Sequence, residues 1–341
     1  MNLERMFNVP TILPIVKRIW ARLVLPAFLL GVFNCTDALA QAPSQRVRIS
    51  YSSTGINFMD LFLGKDKGYF RDEGLELQFI QVAANIAINA GISGELDGLA
   101  SIGSAIRAIQ RGAPLRVLAV NLRRPLYWLV ARPEYRSIKD LKGKTLGINT
   151  IGGSQHLRAK GMLALGGVDA EKEITSIQVS DQTRQIQALL TNSIQVAALS
   201  PPWNIVARDK FKLRLLDNSM DKFAGIESGL AVPIQLLQDK RDLVRKILRA
   251  RAKGSRQFME NERDSAELLA RLYNIDVNTA LESYRSSKPA FTHNGIPTDD
   301  EIREHLATDA QVLKLAKPAP PSEIFDFTLQ KQILREIGVK G

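Results

Sequence analysis

Two stretches share a construction able to hold a small ligand. RISYSSTGINF (48–58) and LGINTIGGSQH (146–156) each run from a β-like strand, through a turn of small polar residues, into the start of a helix. A helix start carries unpaired backbone N–H groups and about half a positive charge, which favours an anionic or acceptor-rich ligand. Two such ends facing each other would clamp one. The contacts expected from these loops are Ser52, Ser53 and Thr54 in the first, and Asn149, Gly152, Gly153 and Ser154 in the second. Taken one loop at a time, the plainer expectation is that the serines and threonine cap their own helices, and that Gly152-Gly153 is an ordinary turn. Other strand-end segments join the set: Asn85 in Ala83-Ala84-Asn85, Gly103 and Ser104 in SIGS, Asn121, and Pro202 and Trp203 in SPPW. In open α/β sheets ligands collect beyond the carboxyl ends of strands, so these loops would converge. Trp203 could stack on a ligand, although a lone tryptophan is more often core.

Bond-making chemistry is poorly represented by comparison. His156, His293 and His305 are scattered, and the chain has no Gly-x-Ser-x-Gly elbow, no Walker-type loop, no His-Glu-x-x-His and no Gly-x-Gly-x-x-Gly after the first strand. His156, two residues after Ser154, could touch a ligand. With three histidines and the single cysteine Cys35 there is little from which to build a zinc site. No catalytic residue, no metal and no cofactor are therefore expected.

The elements that must position the loops alternate short β-like runs with helical segments from Arg46 onward, the pattern of an α/β protein with largely parallel sheets. RVRISY, LELQFIQV, LDGLAS and LRVLAV read as strands of a first unit ending near residue 122. YWLVAR, TLGIN, ITSIQV and IQVAALS read as strands of a second, and the pattern restarts there. From about Gln238 the chain is almost purely helical, punctuated by Pro289, Pro297 and the PAPP run at 318–321. Such a tail has to pack on something. No repeat of 20–50 residues is visible, so a solenoid is excluded.

Length and composition bound the rest. At 341 residues with 45% apolar residues the chain is long enough for two domains and too apolar to be disordered. In residues 1–40, Lys17, Arg18 and Arg22 precede the apolar stretch LVLPAFLLGVF, and Ala38-Leu39-Ala40 offers a cleavage site: a signal peptide and a periplasmic destination are expected. That apolar stretch is far short of the roughly 20 residues of a membrane span. Lipid anchorage at Cys35 is the alternative, disfavoured by the bulky Phe33-Asn34 before it. The net charge of +11 is not gathered into a basic run, and KRDLVRKILRARAKGSR from Lys240 has helical apolar spacing. It reads as a solvated helix face, so no nucleic-acid partner is expected.

In combination and in order, KDKGYFRDEGLELQFIQV, GELDGLASIGSAIRAIQRGAPLRVLAV, SIKDLKGKTLGINTIGGS with RAKGMLALGGVD downstream, and QIQALLTNSIQVAALSPPW resemble the substrate-binding proteins of ABC importers, in the nitrate/sulfonate/taurine branch. The resemblance runs from about Arg46 to about Ala252. It implies a type II periplasmic-binding fold of two lobes, each a mainly parallel sheet flanked by helices, closing on a ligand like a flytrap. Lobe 1 would comprise 41–122 and about 233–341, and lobe 2 would be 123–232. The ligand would be a sulfonate, carboxylate or heterocycle, held by the loop residues named above and delivered to a transporter permease by a monomeric protein. Where many relatives carry glycine after the second strand, this chain has Ala83-Ala84-Asn85, which narrows that side and offers an amide. No arginine stands at the Ser/Thr loop. Two other roles share the fold: a sensor subunit, and a pyridoxal-phosphate-dependent pyrimidine-synthesis enzyme, which export and the lack of a cysteine-rich loop argue against.

Overall fold

The structure, a computed structural model, describes residues 44–339; the expected signal peptide and Cys35 lie outside the described residues. Ten strands form two five-stranded sheets. They are β1 (Gln45–Tyr51), β2 (Leu75–Gln81), β3 (Gly98–Leu99), β4 (Leu115–Leu122), β5 (Trp128–Ala131), β6 (Lys144–Ile148), β7 (Ile174–Gln178), β8 (Val196–Leu199), β9 (Arg214–Asn218) and β10 (Ser228–Pro233). The first sheet has the order β2-β1-β3-β10-β4 and the second β7-β6-β8-β5-β9. In each, three neighbouring strands run parallel and the fourth is antiparallel: β10 against β3 and β4, β5 against β8 and β9. Each lobe thus borrows one antiparallel strand from a segment that has just crossed over, and the chain crosses at 123–127 and again at 219–227.

The sequence reading assigns 228–232 to the second lobe; the structure corrects this, because the segment pairs as β10 with Leu115–Leu122 of the first. SGLAVP is buried along its whole length. A strand buried on both faces carries no alternation to say which sheet it joins, so only tertiary pairing decides. The two crossings are tied to each other. Tyr127 N donates to Ser219 Oγ at 3.0 Å, Ser219 N to Tyr127 O at 2.9 Å, and Glu227 N to Leu122 O at 2.9 Å.

Helix Arg241–Glu260 explains how the helical tail is used. Leu243, Val244, Ile247 and Leu248 cover one face of the first sheet. Further along, the helix lies against Met59–Asp66 so closely that a Cβ on Gly254 would stand 2.0 Å from the Asp60 carbonyl. Its basic face is not wholly solvated as the sequence suggests: Arg251 Nε meets Asp60 Oδ2 at 2.5 Å, both side chains 2% exposed. Ile302 and Leu306 of helix Asp299–Leu313 and Ile324 seal the other face against Ile102 and Ile106. The second lobe packs Leu129, Leu146, Ile148 and Met162 on one side of its sheet and Ile186, Leu189, Leu199 and Trp203 on the other.

Candidate functional site

The loops at the carboxyl ends of the parallel strands meet between the lobes around an inner cavity of about 30 Å³, room for one or two waters. Lobe 1 supplies Ser52, Asn57, Phe58, Ala84, Ser101 and Ser104; lobe 2 supplies Asn149, Thr150, Gly153, Ser154 and Gln155; Tyr127, Glu227 and Ser228 from the crossings and the start of β10 complete the wall. The cavity adjoins an outer groove of about 790 Å³ that shares Ala84, Ser104, Thr150 and Gly153 with it, and whose walls include Ile88, Ile92, Ile151, Leu157 and Val312, with Arg107, Arg111 and Lys160.

The two Ser/Thr/Gly loops do not cap their own helices. Helix Ser154–Leu165 starts after Gly153 without a side-chain cap, and Ser154 Oγ instead accepts from Arg107 Nη2 of the other lobe at 3.1 Å. The same nitrogen bonds Ser104 Oγ at 3.1 Å. Ser52 Oγ accepts from Ser101 Oγ at 2.9 Å, and Ser53 is buried beside it. Thr54 faces lobe 2 directly: its hydroxyl donates to Asp181 Oδ2 at 3.1 Å and accepts from the Trp203 indole N–H at 3.1 Å, while its carbonyl accepts from Gln182 Nε2 at 2.7 Å. Gln81 Nε2 reaches the same Asp181 oxygen at 2.9 Å. Burial opposes ionisation of Asp181, yet hydrogen bonds from Thr183, Gln81 and Thr54 hold its carboxyl below the usual range. These contacts form a latch between the two lobes.

The expected site residues therefore divide. Ser52, Ser104, Asn149, Gly153 and Ser154 line the inner cavity, whereas Asn85 and Gly152 line the outer groove. Asn149 is held by Gln185 Nε2 on its side-chain oxygen at 2.6 Å. Gly103 stands at the cavity edge, its N–H on the Glu227 carbonyl at 3.2 Å. Thr54 and Trp203 belong to the latch; Trp203 packs edge-to-face on Tyr273 at 5.4 Å and lies away from the cavity lining. Pro202 precedes helix Trp203–Asp209 as its N-cap residue. Asn121 is buried in β4, where its carbonyl accepts from Thr292 N at 2.7 Å, and lines neither opening. His156 turns away from the cavity: Gly152 N donates to Nδ1 at 3.0 Å and Ser176 Oγ meets Nε2 at 3.1 Å. Burial, aided by Lys160, pushes its pKa down to about 4, so the ring is neutral at pH 7.

Sequence reasoning misses the charges. Arg158 Nε meets Glu227 Oε1 at 3.1 Å, Arg107 Nη1 meets Asp309 Oδ1 at 3.5 Å, and His305 Nε2 lies 3.5 Å from Asp309 Oδ2, all nearly fully buried. Arg158 and Arg107 come from different lobes and Glu227 from a crossing, so no linear spacing announces them. Burial pushes the Tyr127 hydroxyl pKa up, and the neighbouring Glu227 adds to the shift, which keeps the phenol protonated.

The profile of the family described as "NMT1/THI5 like" matches residues 55–265. The chain belongs to the NMT1/THI5-like family. A relative within reach is the riboflavin-binding protein RibY of Chloroflexus aurantiacus, 26% identical over 239 residues that make up 67% of each chain. Among solved structures, the nitrate-binding protein NrtA of Synechocystis PCC 6803 superposes with a TM-score of 0.67 at 13% identity, over 87% of this chain and 90% of its own. The aliphatic sulphonate binding protein SsuA of Escherichia coli gives 0.62 at 17% identity, over 83% and 92%. Both are described as periplasmic. As the resemblance implies, this family member has the two-lobed periplasmic-binding fold.

Proposed function

We propose that the protein is an exported, monomeric solute-binding protein that captures a small polar organic ligand between its lobes and delivers it to the permease of an ABC importer. The observation that carries this reading is the inner cavity, whose wall comes from both lobes and from both crossings. A ligand held there satisfies donors and acceptors on both sides at once, so it stabilises the closed state over the open one by its differential contacts. The latch of Thr54, Asp181 and Trp203 can form only when the lobes are together, which makes closure a two-state event with its own hydrogen bonds. Riboflavin, nitrate and sulphonates, the solutes named for the relatives, are all small molecules, which supports the same role here.

A binding role in preference to catalysis is supported by the wall itself. Ser104 and Ser154 accept from Arg107, Ser52 and Ser101 bond each other, Ser228 donates to the Asn57 carbonyl, and among the described residues lining the cavity there is no lysine to hold pyridoxal. The test is a thermal-shift screen of the purified protein against sulfonates, carboxylates, nitrate and nitrogen heterocycles, followed by small-angle scattering. A ligand at about 100 times its Kd should add about 2.7 kcal/mol, several degrees in Tm, and should reduce the radius of gyration. Turnover of a bound compound, or no hit in any class, would refute the reading.

A further inference from the structure

Resting on the solute-binding reading, we propose that Glu227 sets the ligand's chemistry, and that the inner cavity takes the adjacent N–H and C=O groups of an uncharged lactam, imide or ureide ring, rejecting sulfonate, carboxylate and nitrate. Glu227 sits on the second crossing with its side chain 3% exposed. One carboxylate oxygen, Oε1, is held by Arg158; the other, Oε2, is buried without a hydrogen-bond partner among the described residues, in a residue that lines the cavity. Buried carboxylate oxygens are rarely left so, because the uncompensated desolvation is costly. A donor arriving in the cavity meets that need.

Gly103 lets the two lobes' polar groups approach at the cavity edge. A Cβ there would stand 2.6 Å from Ser154 Oγ, 2.8 Å from the Ile226 carbonyl and 3.2 Å from Glu227 Oε2, so the Ser154 hydroxyl and the Glu227 carboxylate are brought close together where both line the cavity. Ser154 and Ser104 both accept from Arg107 Nη2. Their hydroxyl protons are thereby left free to donate to a carbonyl. An acceptor and donors side by side match a ring edge on which N–H and C=O are adjacent. An anion fits poorly: Glu227 is the one charged residue among the described residues lining the inner cavity, Arg158 is committed to it, and Arg107 is committed to Asp309 and the two serines. A second negative charge beside Oε2, in a site sheltered from water, would be repelled. The outer groove, with Ile88, Ile92, Ile151, Leu157 and Val312, continues from the cavity and suits the flat apolar remainder of such a ring system.

The test measures affinity by calorimetry for the full protein with uracil, lumazine and lumichrome, with 1,3-dimethyluracil and 1,3-dimethyllumazine, and with methanesulfonate, acetate and nitrate. Binding is expected from the N–H series, with a tenfold or greater loss on N-methylation and no anion binding. In Glu227→Gln the amide oxygen is drawn to Arg158, which turns the amide N–H₂ toward the cavity. That variant should lose the N–H ligands by tenfold or more and gain affinity for acceptor-only anions. Equal affinity for the N–H and N-methyl forms, or unchanged selectivity in Glu227→Gln, overturns the proposal. Anions binding the wild type while the N–H series does not also overturns it, but leaves the solute-binding reading standing; failure of every compound overturns both. Should Glu227→Gln not fold, as judged by circular dichroism, the wild-type comparison of N–H with N-methyl ligands decides.

Discussion

Replacing Thr54 by valine keeps the shape of the side chain and removes only its hydroxyl, which in the closed protein donates to Asp181 and accepts from the Trp203 indole N–H. A hydrogen bond to a charged group is worth about 1.5–3 kcal/mol and a neutral one about 0.5–1.5 kcal/mol. Both contacts here are only part-buried, so water can recover some of the loss, and about 2–3 kcal/mol is the expected combined value. In the open protein these groups face solvent and lose nothing, so the whole penalty falls on closure. Because ligand binding draws on the closed state, Kd should rise roughly 30- to 150-fold. The urea midpoint of the ligand-free chain should fall only to the extent that it is already closed. Titration calorimetry with the solute found by screening gives Kd, and scattering gives the fraction closed. An affinity within threefold of wild type, with the variant folded, would refute the latch, as would losses from Thr54→Val and Trp203→Phe that simply add in the double variant.

Other consequences follow from the packing and charges. Gly254→Ala should destabilise by about 2–3 kcal/mol or more, read as a lower urea midpoint at constant m, because its Cβ would lie 2.0 Å from a backbone oxygen that cannot swing aside. Asp60→Asn should cost about 3–5 kcal/mol by leaving Arg251 buried without its counter-charge, whereas Asp60→Leu combined with Arg251→Met should recover much of that in the same urea titration. His156 has a folded pKa of about 4, below its unfolded value, so the unfolded chain takes up the extra proton as pH falls. The stability it contributes is complete above about pH 6.5 and is lost toward pH 4, by up to about 3 kcal/mol; a His156→Gln protein should show a flatter urea midpoint between pH 7 and pH 4.5. Ser154→Leu should abolish ligand binding with a melting temperature little changed, since its side chain opens onto the cavity and empties no core.

How much of this was legible depends on whether the signal is local. The strands of both lobes and the helical tail follow from the periodicity of apolar residues, and RVRISY shows it plainly, with Val47 and Ile49 inward and Arg46 outward. The Ser/Thr/Gly loops were visible because strand, turn and helix start are contiguous in the chain. Yet their roles separated once folded: Ser52 and Ser154 face the cavity, whereas Thr54, one turn residue beyond Ser53, points at Asp181, 127 positions away. Asn121 had the right residue type at a strand end and is spent inside β4. Arg107 and Arg158 lie within helices whose linear pattern marks them as ordinary basic positions.

The order of strand and helix, the loops at the strand ends and the family resemblance are properties of neighbouring residues, set by backbone geometry and apolar spacing, and the sequence by itself determines them. Which lobe receives SGLAVP, which serine faces the ligand, and the pairing of Glu227 with Arg158 and of Arg107 with Asp309 depend on groups brought together from opposite lobes and from the C-terminal helices. A charge can be buried only where another element supplies its partner, and nothing in the linear chain records where that element will lie.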